Sequence, residues 1–141
     1  MLFNEKGRTL AHVSSACISP VDDPDYAIFG TEEVPAPRTL VDIFKATVEA
    51  YPNDIALEAS EALTYRELSQ RVEAQVQRLN KIGVGPGARV GIRVPSGTLD
   101  LYIAILSTLC AGAAYVPVDW DDPDSRADTV WAEADVTAVY G

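Results

Sequence analysis

The sequence predicts an α/β fold in which parallel strands alternate with helices. Helical and extended patterns alternate between residues 89 and 140, glycine or proline separates successive elements, and 48% of the 141 residues are hydrophobic. Because strands joined through single helices form right-handed parallel units by default, we expect strands at residues 89–94, 114–118 and 136–140 to share one sheet. The hydrophobic content also excludes a wholly disordered chain.

The first 37 residues are predicted to be a leader or linker. They contain Pro20, Pro24, Pro35 and Pro37 among several acidic residues, with neither helical nor strand periodicity. The globular part is therefore predicted over residues 38–141.

The first helix is predicted to begin after Thr39, which forms a capping box with Asp42. Residues 51–54 (YPND) end this helix. Residues 55–58 and 62–64 are then predicted to form a short extended pair.

The second helix has the clearest local signal, in the segment 63–68 (LTYREL). Thr64 is a suitable N-cap, Glu67 can accept from its backbone N–H, and Leu63 and Leu68 are placed for a hydrophobic staple. An apolar stripe continues to Leu79, and Gly83 ends the helix. The opposite face is predicted to be exposed and holds Arg66, Glu67, Arg71, Glu73, Gln77, Arg78 and Lys81.

Two glycine-containing loops invite comparison with anion sites. Residues 83–87 (GVGPG) follow a helix and precede a strand, whereas a phosphate loop has the reverse context, so we interpret them as a turn. Residues 95–98 (PSGT) do lie between a strand and a helix predicted over residues 97–111. We interpret Ser96 as the cap of that helix, with anion binding as the alternative.

The acidic loop 119–124 (DWDDPD) superficially resembles a calcium site. An EF-hand loop needs glycine at its sixth position and glutamate at its twelfth, where this sequence has Asp124 and Val130. We instead predict that Asp122 caps a helix over residues 123–134, with Pro123 at its first position.

Residues 101–118 carry no formal charge, which raises the alternative of a membrane span. Gly112 and Pro117 interrupt this stretch and acidic residues flank it, so we predict a buried helix followed by a buried strand. The helix is apolar on nearly all sides. We therefore expect this chain taken alone to expose apolar surface and either to self-associate or to be marginally stable.

The composition argues against several partners and sites. The formal net charge is −10, from 11 basic and 21 acidic residues, so we expect no nucleic-acid partner and no membrane contact by this chain. His12 is the single histidine and Cys17 and Cys110 are the two cysteines, which predicts no metal site, no disulfide framework and a cytoplasmic location. No nucleophile and base are paired in the pattern, so we assign no catalytic, cofactor-binding or metal-binding residue.

The order of these segments resembles nonribosomal peptide synthetase adenylation domains, from about Pro35 to Gly141. Residues 63–68 are similar to the first core motif of that family, residues 83–92 (GVGPGARVGI) to its link into a strand, and residues 109–119 (LCAGAAYVPVD) to its second motif. The family's Pro-x-x-Arg helix and later aspartate are matched by Pro123, Arg126 and Asp135.

A narrower resemblance is to the ε-poly-lysine synthetase type, membrane-bound enzymes that begin with an adenylation domain. It rests on residues 35–40 (PAPRTL), 93–98 (RVPSGT), and 116–119 (VPVD) followed by 121–124 (DDPD). The sequence departs from the general family pattern at Cys110, where lysine is common, and at Asp122, where an aromatic residue is frequent.

The resemblance implies a parent enzyme of secondary metabolite biosynthesis, a ligase that uses ATP, Mg²⁺ and an amino acid. Such an enzyme forms an aminoacyl-adenylate, releases pyrophosphate, and loads a carrier-protein phosphopantetheine thiol. The phosphate loop, the specificity pocket and the catalytic lysine of the family would all follow Gly141, so this chain is expected to be an inactive scaffold whose partners are the rest of the domain and a carrier protein. The alternative is a free-standing noncatalytic α/β module that binds a protein partner.

Overall fold

The computed structural model of the chain describes residues 38–141, and the predicted leader over residues 1–37 lies outside the described residues. The division into leader and globular part therefore stays a prediction. The described part contains four helices and five strands. In chain order these are α1 (Leu40–Ala50), β1 (Ile55–Glu58), β2 (Ala62–Thr64), α2 (Tyr65–Lys81), β3 (Arg89–Ile92), α3 (Leu99–Cys110), β4 (Ala114–Pro117), α4 (Asp124–Glu133) and β5 (Ala138–Tyr140).

The predicted parallel sheet is present. Its strand order is β4-β3-β5, and β3 pairs in parallel with both neighbours. Val90 at the centre lies opposite Tyr115 of β4 and Ala138 of β5. The fold class is therefore α/β, as the alternation of patterns predicts.

The predicted extended pair is also confirmed, as an antiparallel hairpin that leads directly into α2. Ile55 lies opposite Thr64, and Thr64 is both the last residue of β2 and the N-cap of α2. The seven charged and polar residues predicted to face water on α2 are all exposed, while Leu68, Val72 and Leu79 are buried. The amphipathic pattern thus sets the orientation of this helix correctly.

The hydrophobic core lies between α2, α3 and one face of the sheet. Its buried centre consists of Leu79, Val84, Val90, Ala111 and Ala113. The central strand is the most enclosed, with Val90 and Ile92 at 0% and 1% exposure. This burial on a strand flanked by two others is the usual environment of parallel sheets, which are covered on their faces by helices.

The helix α3 uses its small and weakly polar residues for its inner face. Ala104, Ser107 and Thr108 are fully buried, and both hydroxyls donate to the Ala104 carbonyl, at 3.1 Å from Ser107 and 2.7 Å from Thr108. Most of the larger side chains stay partly exposed, with Tyr102 44% exposed, whereas Leu99 at the start of the helix is buried. The predicted exposed apolar surface is therefore present on this helix.

The elements are slightly shorter than predicted at several ends. The strand β3 ends at Ile92 rather than at residue 94, β4 at Pro117 rather than 118, and β5 begins at Ala138 rather than 136. The stretch 101–118 divides into α3, a turn at Gly112 with φ +78°, and β4. Among the described residues, no helix has both the length and the apolar content to cross a bilayer.

Candidate functional site

The part of the fold best placed for a ligand is the carboxyl edge of the parallel sheet. In open α/β sheets, ligands bind beyond the carboxyl ends of the strands where the strand order changes direction, which here is between β3 and β5. Arg93, directly after β3, lies at this position, and its backbone N–H donates to the Tyr140 carbonyl at 2.9 Å. This edge is therefore the candidate site.

The Arg93 side chain joins this edge to the loop between β4 and α4. Its Nη1 lies 2.6 Å from Oδ1 of Asp124, and its Nη2 donates to the carbonyls of Trp120, at 3.3 Å, and Asp122. The Arg93 side chain is only 20% exposed, and its Nε is buried without a partner in the described part of the chain. Arg93 thus holds the loop in place, and its charge is largely compensated by these acceptors.

The acidic loop is organised by its own hydrogen bonds. Oδ1 of Asp119 accepts from the Asp121 N–H at 2.9 Å, and the Asp119 carbonyl accepts from the Asp122 N–H at 3.2 Å. The described residues contain no group of three or more histidine, cysteine or acidic side chains placed to hold a metal ion.

The prediction that Asp122 caps α4 is wrong. The N-cap position is occupied by Pro123, whose φ of −59° and ψ of 146° are extended, so α4 begins one residue later at Asp124. The carboxylate of Asp122 instead pairs with Arg126 one turn further on, with 2.9 Å between Oδ2 and Nε. The first turn keeps one acidic residue, Asp124, which suits the positive end of the helix dipole.

The prediction that Ser96 caps the helix after β3 is also wrong. The helix α3 begins at Leu99, its N-cap is Thr98, and no side-chain hydrogen bond caps it. The Thr98 hydroxyl donates instead to the Pro95 carbonyl at 2.7 Å, and Gly97 has φ +76°. These contacts make residues 95–98 a tight turn that shifts the start of the helix by two residues.

The glycine segment 83–87 connects α2 to β3 as a turn, in agreement with its interpretation. Gly83 and Gly87 have φ of +85° and +86°, which glycine adopts without strain, and the Ala88 N–H donates to the Gly85 carbonyl at 3.0 Å. The segment follows the carboxyl end of a helix, where carbonyls face outward, so its position does not favour a phosphate.

The capping box at the start of α2 is complete. Oε2 of Glu67 accepts from the Thr64 backbone N–H and from its hydroxyl, both at 2.8 Å, while the Thr64 hydroxyl oxygen accepts from the Glu67 N–H at 3.3 Å. The bond from the Thr64 backbone N–H, followed by that from its hydroxyl, lowers the pKa of Glu67. The segment that resembles the first core motif therefore has a structural role that its hydrogen bonds fully account for.

The thiol of Cys110 lies in a groove of about 340 Å³ between α1, α2 and α3, beside Phe44, Lys45 and Val76. Burial raises the pKa of Cys110, and nearby Lys45 opposes this only in part. The thiol is therefore protonated at neutral pH, as is usual for a cysteine that packs rather than reacts. The described residues include no histidine to serve as its base.

Arg93 is the residue of this edge that sequence reasoning missed. The pattern places it at the end of a strand, and its partners lie 27 to 31 residues further along the chain. A charged residue directly after the apolar stretch 90–92 is the available signal, because such a residue needs a partner once the sheet is covered.

Comparison with known proteins identifies strong similarities over the same region. The family model described as AMP-binding enzyme matches residues 44–141. A linear gramicidin synthase of Brevibacillus parabrevis is 36% identical over 110 residues, which is 77% of this chain and 2% of that protein. Gramicidin S synthase 1 of Brevibacillus brevis is 35% identical over 103 residues, 72% of this chain and 9% of that protein. The chain thus spans a small part of these curated relatives.

Solved structures give the same result for the fold. The N-terminal subdomain of Klebsiella oxytoca NpsA has a TM-score of 0.67 and 27% identity, covering 72% of this chain and 27% of that one. The nonribosomal peptide synthetase FmoA3, in an α-methyl-L-serine-AMP bound form, has a TM-score of 0.69 and 33% identity, covering 74% of this chain and 12% of that one.

Proposed function

Because the chain belongs to the AMP-binding enzyme family, we propose that it forms the amino-terminal part of an adenylation domain in a nonribosomal peptide synthetase. The parent protein would activate an amino acid with MgATP. The observation that carries this proposal is the coincidence of the family match over residues 44–141 with a parallel β4-β3-β5 sheet.

The proposed reaction has two steps. The carboxylate oxygen of the amino acid attacks the α-phosphorus of ATP, forms the aminoacyl-adenylate and expels pyrophosphate. The phosphopantetheine thiol of a carrier protein then attacks the acyl carbon, forms a thioester and releases AMP. The first step needs groups that bind MgATP and the amino acid, and the second needs groups that bind the aminoacyl-adenylate and the phosphopantetheine arm.

The described residues do not fit a MgATP site by themselves. Within residues 38–141, no group of three or more histidine, cysteine or acidic side chains could hold a metal. The glycine turn 83–87 precedes a strand, and Arg93 is engaged by Asp124 and two loop carbonyls. No step is therefore assigned to a residue of this chain. Its proposed contribution is to support the rest of the domain, and the absence of catalytic residues from it stays a prediction.

The resemblance to the ε-poly-lysine synthetase type also stays a prediction, as does the cytoplasmic location. The amino-acid substrate and the carrier-protein partner are likewise proposals. The alternative of a free-standing noncatalytic module is not favoured, because the relatives named above are peptide synthetases.

The test is amino-acid-dependent exchange of labelled pyrophosphate into ATP. We expect the parent protein to catalyse exchange with one or a few members of an amino-acid panel, and the 141-residue chain to give none above background. Exchange by the 141-residue chain alone would contradict its role as scaffold. A parent protein that is inactive with every amino acid, while folded, would contradict the assignment to amino-acid activation.

A further inference from the structure

The groove between α2 and α3 has charged walls of both signs. It measures about 360 Å³ and is lined by one face of α2, by the beginning of α3 and by Tyr140 of β5. Arg78 lies on the α2 wall and Asp100 on the α3 wall. The volume is within the range of small-molecule binding sites. The charges that remain available to a ligand therefore decide what this α2–α3 groove could bind.

The two arginines of the groove differ in their partners. Arg71 is held by Glu61, whose carboxylate oxygens lie 2.8 Å and 3.1 Å from its Nη1 and Nη2. Arg78 instead donates from Nη1 to the uncharged Oε1 of Gln75 at 3.0 Å, and within residues 38–141 it belongs to no ion pair. A guanidinium has several N–H donors, so Arg78 can still bind an anionic group.

Asp100 supplies the opposite charge. It lies exposed in the first turn of α3, and no ion pair among the described residues includes it. Arg78 and Asp100 thus line the same groove without pairing with each other. A guanidinium donates hydrogen bonds to a carboxylate, and a carboxylate accepts them from an ammonium group. This arrangement therefore favours a ligand that carries one carboxylate and one ammonium group.

The hydroxyl of Tyr140 is close to both charges. Burial raises the pKa of Tyr140 above its ordinary value, the positive charge of Arg78 opposes this increase, and the negative charge of Asp100 adds to it. The two charged side chains therefore act on the same part of the groove. The neutral phenol beside them can both donate and accept a hydrogen bond.

The remaining lining of the groove is partly apolar. Ala74 of α2 and Ile103 of α3 contribute this surface, and Ile103 is half-buried. An anion without a positive charge would be repelled by Asp100, and a cation without a negative charge would be repelled by Arg78. A zwitterion with an aliphatic side chain avoids both repulsions and covers apolar surface.

We propose that the α2–α3 groove binds a free aliphatic α-amino acid in its zwitterionic form. Arg78 donates to the carboxylate, Asp100 accepts from the ammonium group, and Ile103 contacts the side chain. Because the charged groups are exposed, water competes for them and the expected dissociation constant is in the millimolar range. The inference goes beyond the proposed function and does not depend on it, because every residue involved lies within the described part of the chain.

The test is a titration of the 141-residue chain with L-leucine, followed through backbone amide chemical shifts in NMR spectra. We expect saturable shifts at Ile103 and Tyr140 with a common dissociation constant in the millimolar range. Isocaproate lacks the ammonium group of leucine and isoamylamine lacks its carboxylate, so each is expected to bind at least about 10-fold more weakly. Shifts that do not saturate, or an analogue that binds as tightly as leucine, would overturn the proposal.

Two variants test the charged contacts separately. Arg78→Gln and Asp100→Asn are each expected to weaken leucine binding by at least about 10-fold, because each removes a hydrogen bond between charged groups. Arg66→Gln and Asp128→Asn remove the same charges at exposed positions outside the groove and should leave leucine binding unchanged. Equal affinities of the groove variants and these controls would overturn the proposal.

The analogues also assign each contact to its partner. Arg78→Gln should bind leucine and isoamylamine with equal affinity, because the carboxylate no longer has its donor, and Asp100→Asn should bind leucine and isocaproate with equal affinity. A variant that keeps the full preference for leucine would contradict the contact assigned to its residue. The comparison of leucine with its analogues on the original chain needs no variant, so a substitution that prevents folding leaves the proposal testable.

Discussion

Gly91 shows how one missing side chain permits the packing of α4 on the sheet. A Cβ atom at this position would lie 2.7 Å from Nε1 of Trp131, closer than real contacts allow. The same Nε1 donates to the Val116 carbonyl at 3.3 Å, so the indole is held over the middle of the sheet. The glycine is required here by close approach of a ring rather than by its backbone angles.

We expect Gly91→Ala to lower the free energy of unfolding by about 1–3 kcal/mol, the usual cost of overpacking. The added methyl group would displace the Trp131 indole from the Val116 carbonyl. Urea unfolding followed by tryptophan emission measures both effects. Gly85→Ala is the control, because a Cβ there meets nothing within 4 Å. Equal stability of the two variants would show that the indole adapts without cost.

Glu67 gives α2 a dependence on pH. Its pKa is lowered from 4.5 by hydrogen bonds from the Thr64 backbone N–H and hydroxyl. Since the folded pKa lies below the unfolded one, the stabilisation is complete above about pH 4.5 and is lost as the pH falls through the lowered value. We expect Glu67→Gln to be less stable than the original chain at neutral pH and to lose less stability on acidification.

Urea midpoints over a pH series that crosses 4.5 test this prediction. Glu73→Gln, on the exposed side of the same helix and outside the capping box, should keep the full acid dependence. If Glu67→Gln and the original chain lose stability in parallel, the capping box does not cause the effect.

Arg93 acts on a loop that is distant in sequence. We expect Arg93→Lys to destabilise the chain by about 1.5–3 kcal/mol, because an ammonium cannot reproduce the fork that contacts Asp124 and two carbonyls. The emission of Trp120, on the same loop, should change with it. Arg126→Lys, whose side chain is 66% exposed beside Asp122, is the control and should cost well under 1 kcal/mol.

At the scale of single elements, the sequence predicts the starts of α1 and α2 correctly but not those of α3 and α4. The capping boxes at Thr39 and Thr64 were predicted correctly, because donor and acceptor are three residues apart and the signal is entirely local. The starts of α3 and α4 were misplaced by one or two residues. Before α3, the turn at Gly97 competes with capping of the helix. Before α4, the pairing of Asp122 with Arg126 does so.

The helix α3 carries an apolar outer face formed by Tyr102, Ile105 and Leu109, opposite its buried small residues. We expect the 141-residue chain to self-associate through this face and Ile105→Lys to weaken the association. Sedimentation velocity over a concentration series measures it. Gln77→Lys, on the polar face of α2, introduces the same charge and should leave association unchanged. A chain that is monomeric at all concentrations would contradict this expectation.

At the scale of the whole molecule, the sequence predicted the fold class, the sheet and its parallel direction. It did so because the alternation of helix and strand is carried by local periodicity, and handedness rules then leave few topologies. The candidate site was not predicted. The Arg93 contacts join residues that become neighbours only after β3 and β4 have paired, and nothing in the local pattern specifies them.

The narrow sheet and the exposed outer face of α3 together predict limited stability. We expect the 141-residue chain to melt at a lower temperature than the parent protein and to bind an apolar dye before it unfolds. Differential scanning calorimetry with dye binding measures this. A melting temperature equal to that of the parent protein, without dye binding, would show that the described elements already form a closed core.

The direct passage from β2 into α2 has a consequence for the order of events during synthesis on the ribosome. Partners in the β1–β2 hairpin are at most nine residues apart, whereas Val90 and Ala138 are separated by 48 residues. Contacts over short separations close fastest, so the hairpin and α2 can form while α4 is still inside the exit tunnel. The folded hairpin and α2 would then provide the surface against which the later strands pack as they emerge.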